Sequence, residues 1–353
     1  MRVLQLIDSL DAGGAERMSV TIANALSTRI DRSYLCASRK EGVLKSDLKK
    51  DVDYLFLRKQ SSLDIAALFR LKRFVTKHKI DVVHAHTTSY FLATLLKGLC
   101  PRINLVWHEH HGKRTESKAS EHKILRFCSR YFDTIITVNE ALQDWCSINL
   151  HTRKVICLKN FVNTKSFDSI ARSRENNIIC LANLREPKDH LNLLSAFRKI
   201  HKEIPNWKLQ LMGKDFQDAY SEEIKKYIRT HSLHSRVTFL SHDLAVSEVL
   251  KPAKIGVLSS TSEGLPMALL EYGAAGLAVV TTAVGDCEKV ISTFGKTVAV
   301  NDSEALANAI LGYASNETLR TSDAAAFRAH IAKNYSVEAV ISQLIELYSF
   351  ETN

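Results

Sequence analysis

The chain has 353 residues, 45% of them apolar and 24% charged, and carries a formal net charge of +10. That length suits two hydrophobic cores better than one, and the composition is ordinary for globular protein, which excludes disordered and collagenous classes. Apolar runs of about 18 residues or more are missing, so no membrane-spanning helix is expected.

The opening Met1-Arg2-Val3-Leu4-Gln5-Leu6-Ile7-Asp8 is too short in its apolar part for a signal peptide and reads as a buried first strand. Further candidate strands fall at 34–38, 54–57, 81–86, 105–108, 134–138 and 154–159, with candidate helices at 15–27, 63–78, 89–99, 118–130 and 139–147 between them. This strand-helix alternation implies a parallel sheet covered on both faces. A polar stretch over 160–177 interrupts it. The rhythm then restarts, with strands at 178–181, 209–213, 237–240, 255–259, 278–281 and 297–300 and helices at 189–204, 218–231, 244–252, 266–275 and 302–314. Only helices follow, the last at 336–349. The expected organisation is a domain over 1–165, a second over 166–335, and a terminal helix over 336–353 that packs back on the first.

Seven cysteines at wide spacings, with no C-x-x-C, argue for a reducing, cytoplasmic setting and against a disulfide framework or structural zinc. Charge is uneven. Residues 1–165 hold 28 Lys and Arg against 16 Asp and Glu, while the remainder holds 20 against 22. A basic half points to an anionic surface or substrate, and nucleic acid, phospholipid and a pyrophosphate-linked acceptor all fit that charge.

Open parallel sheets bind ligands at the carboxyl ends of their strands, and the notable motifs fall on such loops. Gly13-Gly14 opens the first helix, where glycine permits close backbone approach and free N–H groups face an anion; a tight turn without ligand reads equally well. Trp107-His108-Glu109-His110-His111 ends a strand. Its histidines suit substrate contact better than a metal, because none has the spacing of a helical histidine pair; a structural or solvent-exposed role is the other reading, and His84 and His86 read as lining or packing residues. Asp51-Val52-Asp53 is a D-x-D of the kind that holds a metal, but it leads into its strand rather than following it. Arg185 and Lys188 lie on the first loop of the second half, where cations either neutralise a diphosphate or form an exposed basic loop. Glu263-Gly264-Leu265-Pro266-Met267 runs into a helix that carries Glu271, so either two carboxylates reach groups at different distances along one ligand or both are solvated glutamates of a surface helix.

Together these segments resemble the retaining glycosyltransferases of family 4 with the E-x7-E motif, over roughly residues 1–345. The segments Asp81-Val82-Val83-His84-Ala85-His86, Leu211-Met212-Gly213 and Glu263 through Thr282 carry the likeness. It implies the α/β GT-B fold, two Rossmann-like domains whose parallel sheets face an interdomain cleft. It implies sugar transfer from a UDP- or GDP-linked donor to a glycan or polyprenyl-pyrophosphate-linked acceptor in cell-surface polysaccharide synthesis. No metal, cofactor or nucleic-acid partner is implied, and the anomeric configuration is retained by same-face attack.

By that resemblance Glu263 meets the donor sugar and Glu271 the ribose. Gly264, Leu265, Pro266 and Met267 line the sugar and diphosphate, with Gly213 nearby, and Arg185 and Lys188 neutralise the leaving group. Gly14 admits a phosphate or the acceptor. One histidine, His108 ahead of His110 and His111, touches the sugar. Four positions depart from the family pattern: Ala182 replaces a glycine, Asn183 an arginine, Asn139 a serine and Asp286 a glycine. A nucleotide-sugar epimerase or a non-catalytic nucleotide-sugar-binding protein on the same architecture is the competing reading.

The basic half has two concentrations. One is the helix at 63–78 with Arg70, Lys72, Arg73, Lys77 and Lys79; the other holds Lys113, Arg114, Lys118, Lys123, Arg126 and Arg130. Either they are solvated helix faces, or the first domain rests as a peripheral protein on the inner face of an anionic membrane.

Overall fold

The structure is a computed structural model that describes residues 1–111, 114–115, 119–168, 174–241 and 243–349. The chain divides into two compact units, Met1–Asn160 with Val340–Asn353, and Phe161–Ala339.

In the first unit the elements run β1 (Arg2–Ser9), α1 (Gly14–Leu26), β2 (Arg32–Lys40), β3 (Val52–Phe56), α2 (Ile65–His78), β4 (Val82–His86), α3 (Tyr90–Leu99), β5 (Asn104–Glu109), α4 (Lys123–Ser129), β6 (Thr134–Thr137), α5 (Glu140–Asn149) and β7 (Val155–Cys157). The sheet is wholly parallel, in the order β3-β2-β1-β4-β5-β6-β7. Alternate side chains bury on opposite faces. Ile7, Leu35 and Ala37 meet Val20 and Ala23 of α1. Leu4, Val83, Leu105 and Trp107 meet Leu71 of α2, Leu92 of α3, Leu125 of α4 and Trp145 of α5 on the other. Strands covered on both sides read as continuous apolar runs, which is why the sequence shows them plainly.

The second unit runs β8 (Asn177–Leu181), α6 (His190–Ile200), β9 (Lys208–Met212), α7 (Ala219–Thr230), β10 (Val237–Leu240), α8 (Val246–Leu250), β11 (Ile255–Leu258), α9 (Met267–Ala275), β12 (Ala278–Thr282), α10 (Cys287–Ile291), β13 (Lys296–Val298), α11 (Ser303–Ser315) and α12 (Glu317–Asn334). A last helix, α13 (Val337–Leu347), ends the chain's regular structure. The second sheet is also parallel, in the order β10-β9-β8-β11-β12-β13. Its core joins Ile178, Leu209, Ile255 and Ala278 to Leu193, Phe197, Ile310 and Tyr313.

Helix starts follow local chemistry. Asp64, Asn139, Asp189, Asp218, Asp302 and Asn316 each accept a backbone N–H of the helix that they precede. Asn139, one of the departures from the family pattern, thus caps α5. The helix expected over 118–130 is the shorter α4, preceded by a 3-10 turn at Ala119–His122.

Candidate active site

Each sheet reverses its strand order once, between β1 and β4 in the first unit and between β8 and β11 in the second. Loops that leave such neighbours diverge to opposite faces and open a crevice at their carboxyl ends. In the second unit those loops are the ones that carry Arg185–Lys188 and Ser259–Glu263.

The two loops are tied together. Lys188 Nζ lies 2.5 Å from Glu263 Oε1, and Ser260 Oγ donates to the same oxygen at 2.6 Å. Ser259 Oγ donates to the Lys188 carbonyl at 2.9 Å, and Thr261 N to the Pro187 carbonyl at 2.8 Å. Thr282 Oγ1 on β12 donates to the Ser260 carbonyl at 2.5 Å. The Lys188 and Glu263 side chains are 17% and 9% exposed, so the pair is shielded yet still reachable. Arg185 is exposed at the start of the turn Glu186–Lys188.

Glu263 owes its position to a glycine that the sequence reading passed over. Gly285 has φ +52°, and a Cβ there would lie 2.3 Å from the Glu263 carbonyl oxygen and 2.6 Å from that of Gly264. Asp286 N donates to the Gly264 carbonyl at 2.9 Å. The clue was the Val284-Gly285-Asp286 run after β12. Ser260 was missed as well, and its only sign is the hydroxyl run Ser259-Ser260-Thr261 before Glu263.

Gly264, Leu265, Pro266 and Met267 are buried and lead into α9, whose N-cap is Pro266 and which has no side-chain cap. Pro266 therefore stands one position before the first helical residue. All nine residues of α9 are buried, so its polar side chains sit inside the fold rather than on a wet face. Glu271, its fifth residue, is 6% exposed. Such a helix start offers backbone N–H groups to an anion. Gly213 follows β9, where a Cβ would lie 2.0 Å from the Ala182 carbonyl oxygen, so glycine lets the β8 and β9 ends close together.

At the first unit's reversal, Gly13 caps α1 without a side-chain bond and Gly14 is exposed at the first helical position. The Glu16 carboxylate lies where a Gly13 Cβ would be, 2.2 Å from that point, so the chain's own acid covers this helix start. Across the reversal, Thr88 Oγ1 donates to Asp8 at 2.6 Å.

The histidines fall into two environments. His84 and His86 on β4 and His108 on β5 share one face of the sheet, where with His110 they stack, ring centroids 4.0–5.6 Å apart. Tyr348 OH sits 2.6 Å from His84 Nδ1, and His86 Nε2 donates to Gln5 Oε1 at 2.8 Å. Burial holds all four rings neutral, His84 down to about 3 and the others well below the ordinary histidine value. His108 is 1% exposed and neither of its ring nitrogens meets a partner.

His108, expected to touch the donor, is thus part of a buried stack. It faces the interior of the unit, because a central parallel strand buries both of its faces. His111 is the ring that reaches solvent, its side chain 53% exposed. Fully buried Glu109, pointing away from the stack, orients it: His111 N donates to Oε1 at 2.8 Å and Nδ1 lies 3.0 Å from that oxygen. Arg114 Nε pairs with Oε2. Burial raises the Glu109 carboxyl, but the His111 hydrogen bonds and the Arg114 charge prevail and hold it below the usual range.

Nitrogens of His84, His86 and His108 come within 4.8 Å of one another. A metal joins two imidazoles across about 4.1 Å at most, in the plane of each ring. Rings stacked at 11–31° do not converge on such a point, so the stack does not fit an ion. Asp51 and Asp53 are exposed at the amino end of edge strand β3, away from the loops described.

Two family models match nearly end to end: Glycosyltransferase Family 4 over residues 12–166, and Glycosyl transferases group 1 over residues 162–330. The chain belongs to the GT-B glycosyltransferases of this group. It is 23% identical over 282 residues to the amylovoran biosynthesis glycosyltransferase AmsD of Erwinia amylovora, covering 76% of this chain and 77% of that one. It is 26% identical over 285 residues to the GalNAc-alpha-(1->4)-GalNAc-alpha-(1->3)-diNAcBac-PP-undecaprenol alpha-1,4-N-acetyl-D-galactosaminyltransferase of Campylobacter jejuni, covering 77% and 76%. The crystal structure of Anabaena Alr3699/HepE in complex with UDP and glucose superposes with a TM-score of 0.83 at 17% identity, covering 99% of both chains.

Proposed function

We propose that this glycosyltransferase moves a sugar, with retention, from a UDP- or GDP-linked donor to a lipid-diphosphate-linked glycan in cell-surface polysaccharide assembly, without a metal. The observation that carries the reading is the Lys188–Glu263 pair at the strand-order reversal, beside the uncapped start of α9.

Chemistry at a sugar's anomeric carbon builds negative charge on the departing diphosphate. Lys188, Arg185 and the N–H groups from Gly264 to Met267 are fixed positive ends that meet this charge, so a metal is not required. Glu263 accepts hydrogen bonds from sugar hydroxyls and Glu271 from the ribose. In the first unit His111, held by Glu109, takes the role expected of His108. The departing phosphate helps to deprotonate the acceptor hydroxyl on the same face.

The relatives support the acceptor class: one is named for amylovoran and another for an undecaprenol-diphosphate glycan. The UDP in the Anabaena structure supports the donor class. An acceptor of that kind lies in a membrane, which fits a peripheral protein on its inner face. Among the described residues no helix is long and apolar enough to cross a bilayer.

The test is a panel of UDP- and GDP-sugars, scored by thermal stabilisation and by nucleoside diphosphate release with a polyprenyl-diphosphate glycan. Proton NMR of the product reads the new linkage. Inversion, or abolition by EDTA with rescue by Mn²⁺, overturns the mechanism; release without stabilisation by any nucleotide-sugar overturns the donor class. A non-catalytic binding protein would be stabilised and release nothing.

A further inference from the structure

Scattered exposed apolar side chains are normal on soluble proteins, whereas clusters mark contact surfaces. Seven of the twelve exposed large hydrophobics among the described residues belong to the first unit, and all seven lie on or beside α2, α4 and α5. They are Leu63, Ile65 and Phe69 at α2, Ile124, Phe127 and Tyr131 at α4, and Ile148 on α5. The other face of the sheet, under α1, has none.

These helices form one layer. Leu71 of α2, Leu92 of α3, Leu125 of α4 and Trp145 of α5 share a single core beneath them. Ile65 and Phe69 are four residues apart on α2, 67% and 53% exposed, and Ile124 and Phe127 are three apart on α4 at 62% and 51%, so each pair shares one helix face. Half-buried Phe91 and Leu95 belong to α3, between the two.

The charge is one-sided on three of these helices, while α5 carries Glu140 and Asp144. Helices α2, α3 and α4 contain no acidic residue. Lys72, Arg73, Lys77, Lys123, Arg126 and Arg130 stand among the apolar side chains, Lys72 over the Phe69 ring at 5.9 Å and Arg130 over the Phe127 ring at 4.8 Å. Phe69, Lys72, Arg73, Thr76 and Lys77 line a shallow, open concavity. Lys113 and Lys118 lie outside the described residues.

We infer that the outer face of α2 to α4 inserts into an anionic bilayer surface. Rests on the lipid-linked acceptor proposed above, it names the side chains that hold the enzyme there. A protein partner of matching shape would need a large acidic face with apolar gaps. A bilayer supplies both directly: phosphates at the level of the lysines and arginines, and acyl chains just below them at the level of Ile65, Phe69, Ile124 and Phe127. Long cationic side chains reach outward to the phosphates while their stems stay with the apolar rings. Attachment of this kind has two parts, one weakened by salt and one not.

The experiment uses the full chain with vesicles of phosphatidylcholine alone and of phosphatidylcholine with phosphatidylglycerol. Wild type should sediment with the anionic vesicles at low salt and stay partly bound when salt is raised. An Ile65→Ser, Phe69→Ser, Phe127→Ser variant should bind at least about tenfold more weakly, and its remaining binding should vanish with salt. A Lys72→Glu, Arg73→Glu, Lys123→Glu variant should lose the preference for anionic vesicles. Phe69→Trp should shift to shorter emission wavelength on vesicles and be quenched by brominated acyl chains.

The serine variant should still turn over a water-soluble acceptor analogue, which separates failure of attachment from failure of the transferase reading. Equal sedimentation of wild type and the serine variant overturns the proposal. So does a wild-type dimer that the serine variant converts to monomer, since the ridge would then be covered by a second copy.

Discussion

Lys188 Nζ and Ser260 Oγ converge on one oxygen of Glu263, Oε1, at 2.5 and 2.6 Å. The two contacts fix the rotation of the carboxylate and bring a cation to the edge of a helix start that already favours anions. Lys188→Ala and Glu263→Ala should each lower turnover by about 10²–10³-fold, as expected for losing one charge-stabilising group. Circular dichroism should stay unchanged. Steady-state assays in which both variants keep near-wild-type turnover would remove this pair from the chemistry.

Ser260→Ala is the finer probe of the same arrangement. It deletes one hydrogen bond, about 1 kcal/mol, while leaving both charges in place. Turnover should fall by less than in the Lys188 variant. A loss as large as that of Lys188→Ala would assign Ser260 a direct part in the reaction.

Gly285→Ala puts a Cβ 2.3 Å from the Glu263 carbonyl oxygen in a left-handed backbone conformation. The strain is on the order of 1–3 kcal/mol, and the Glu263 loop must move to relieve it. Both the urea midpoint and the turnover should drop. Unaltered activity would show that the loop tolerates displacement.

The neutral histidine stack makes the first unit sensitive to acid. The His84 pKa in the fold, about 3, lies below its unfolded value. Stability from this burial is therefore complete above the unfolded value near pH 6.5 and is lost as pH falls from there toward the folded value. Each such ring contributes a slope of about 1.4 kcal/mol per pH unit in that window. Urea titrations followed by emission of Trp107 and Trp145 should give a lower midpoint at pH 5 than at pH 7. Equal midpoints would mean that the stack accepts protons without cost.

Glu109 carries His111 and Arg114 with no exposure of its own. Glu109→Gln removes the carboxylate that pairs with the Arg114 charge, a change of the kind that costs about 3–5 kcal/mol when a buried pair is broken, read as a lower urea midpoint. His111→Ala, at an exposed ring, should spare stability and lower kcat/KM. His108→Asn should do the reverse. If His108→Asn alone lowered kcat/KM at full stability, the proposed role of His111 would pass to His108.

Most strands and helices stand in the sequence because buried parallel strands are continuous apolar runs and the helices between them are amphipathic. The five-residue α10 has no counterpart among the expected helices. Motif spacing singled out Glu263 and Lys188 separately, on loops 75 residues apart. That the two touch depends on strand order, which spacing does not carry. The burial of His108 was hidden for a related reason. On a strand buried on both sides, a polar residue gives no sign of facing solvent, and His108 and His111 differ only in which one lies past the strand's end.

The hydroxyl of Tyr348 closes the histidine stack, 2.6 Å from His84, and the first unit includes Val340–Asn353. The whole of Phe161–Ala339 is thus translated between the two parts of one core. On the ribosome, the second unit can fold as soon as it emerges, while the first waits with a wet histidine face for its last helix. Birth order and folding order are inverted. A nascent chain stalled before Val340 should carry a finished second unit and a protease-sensitive first one.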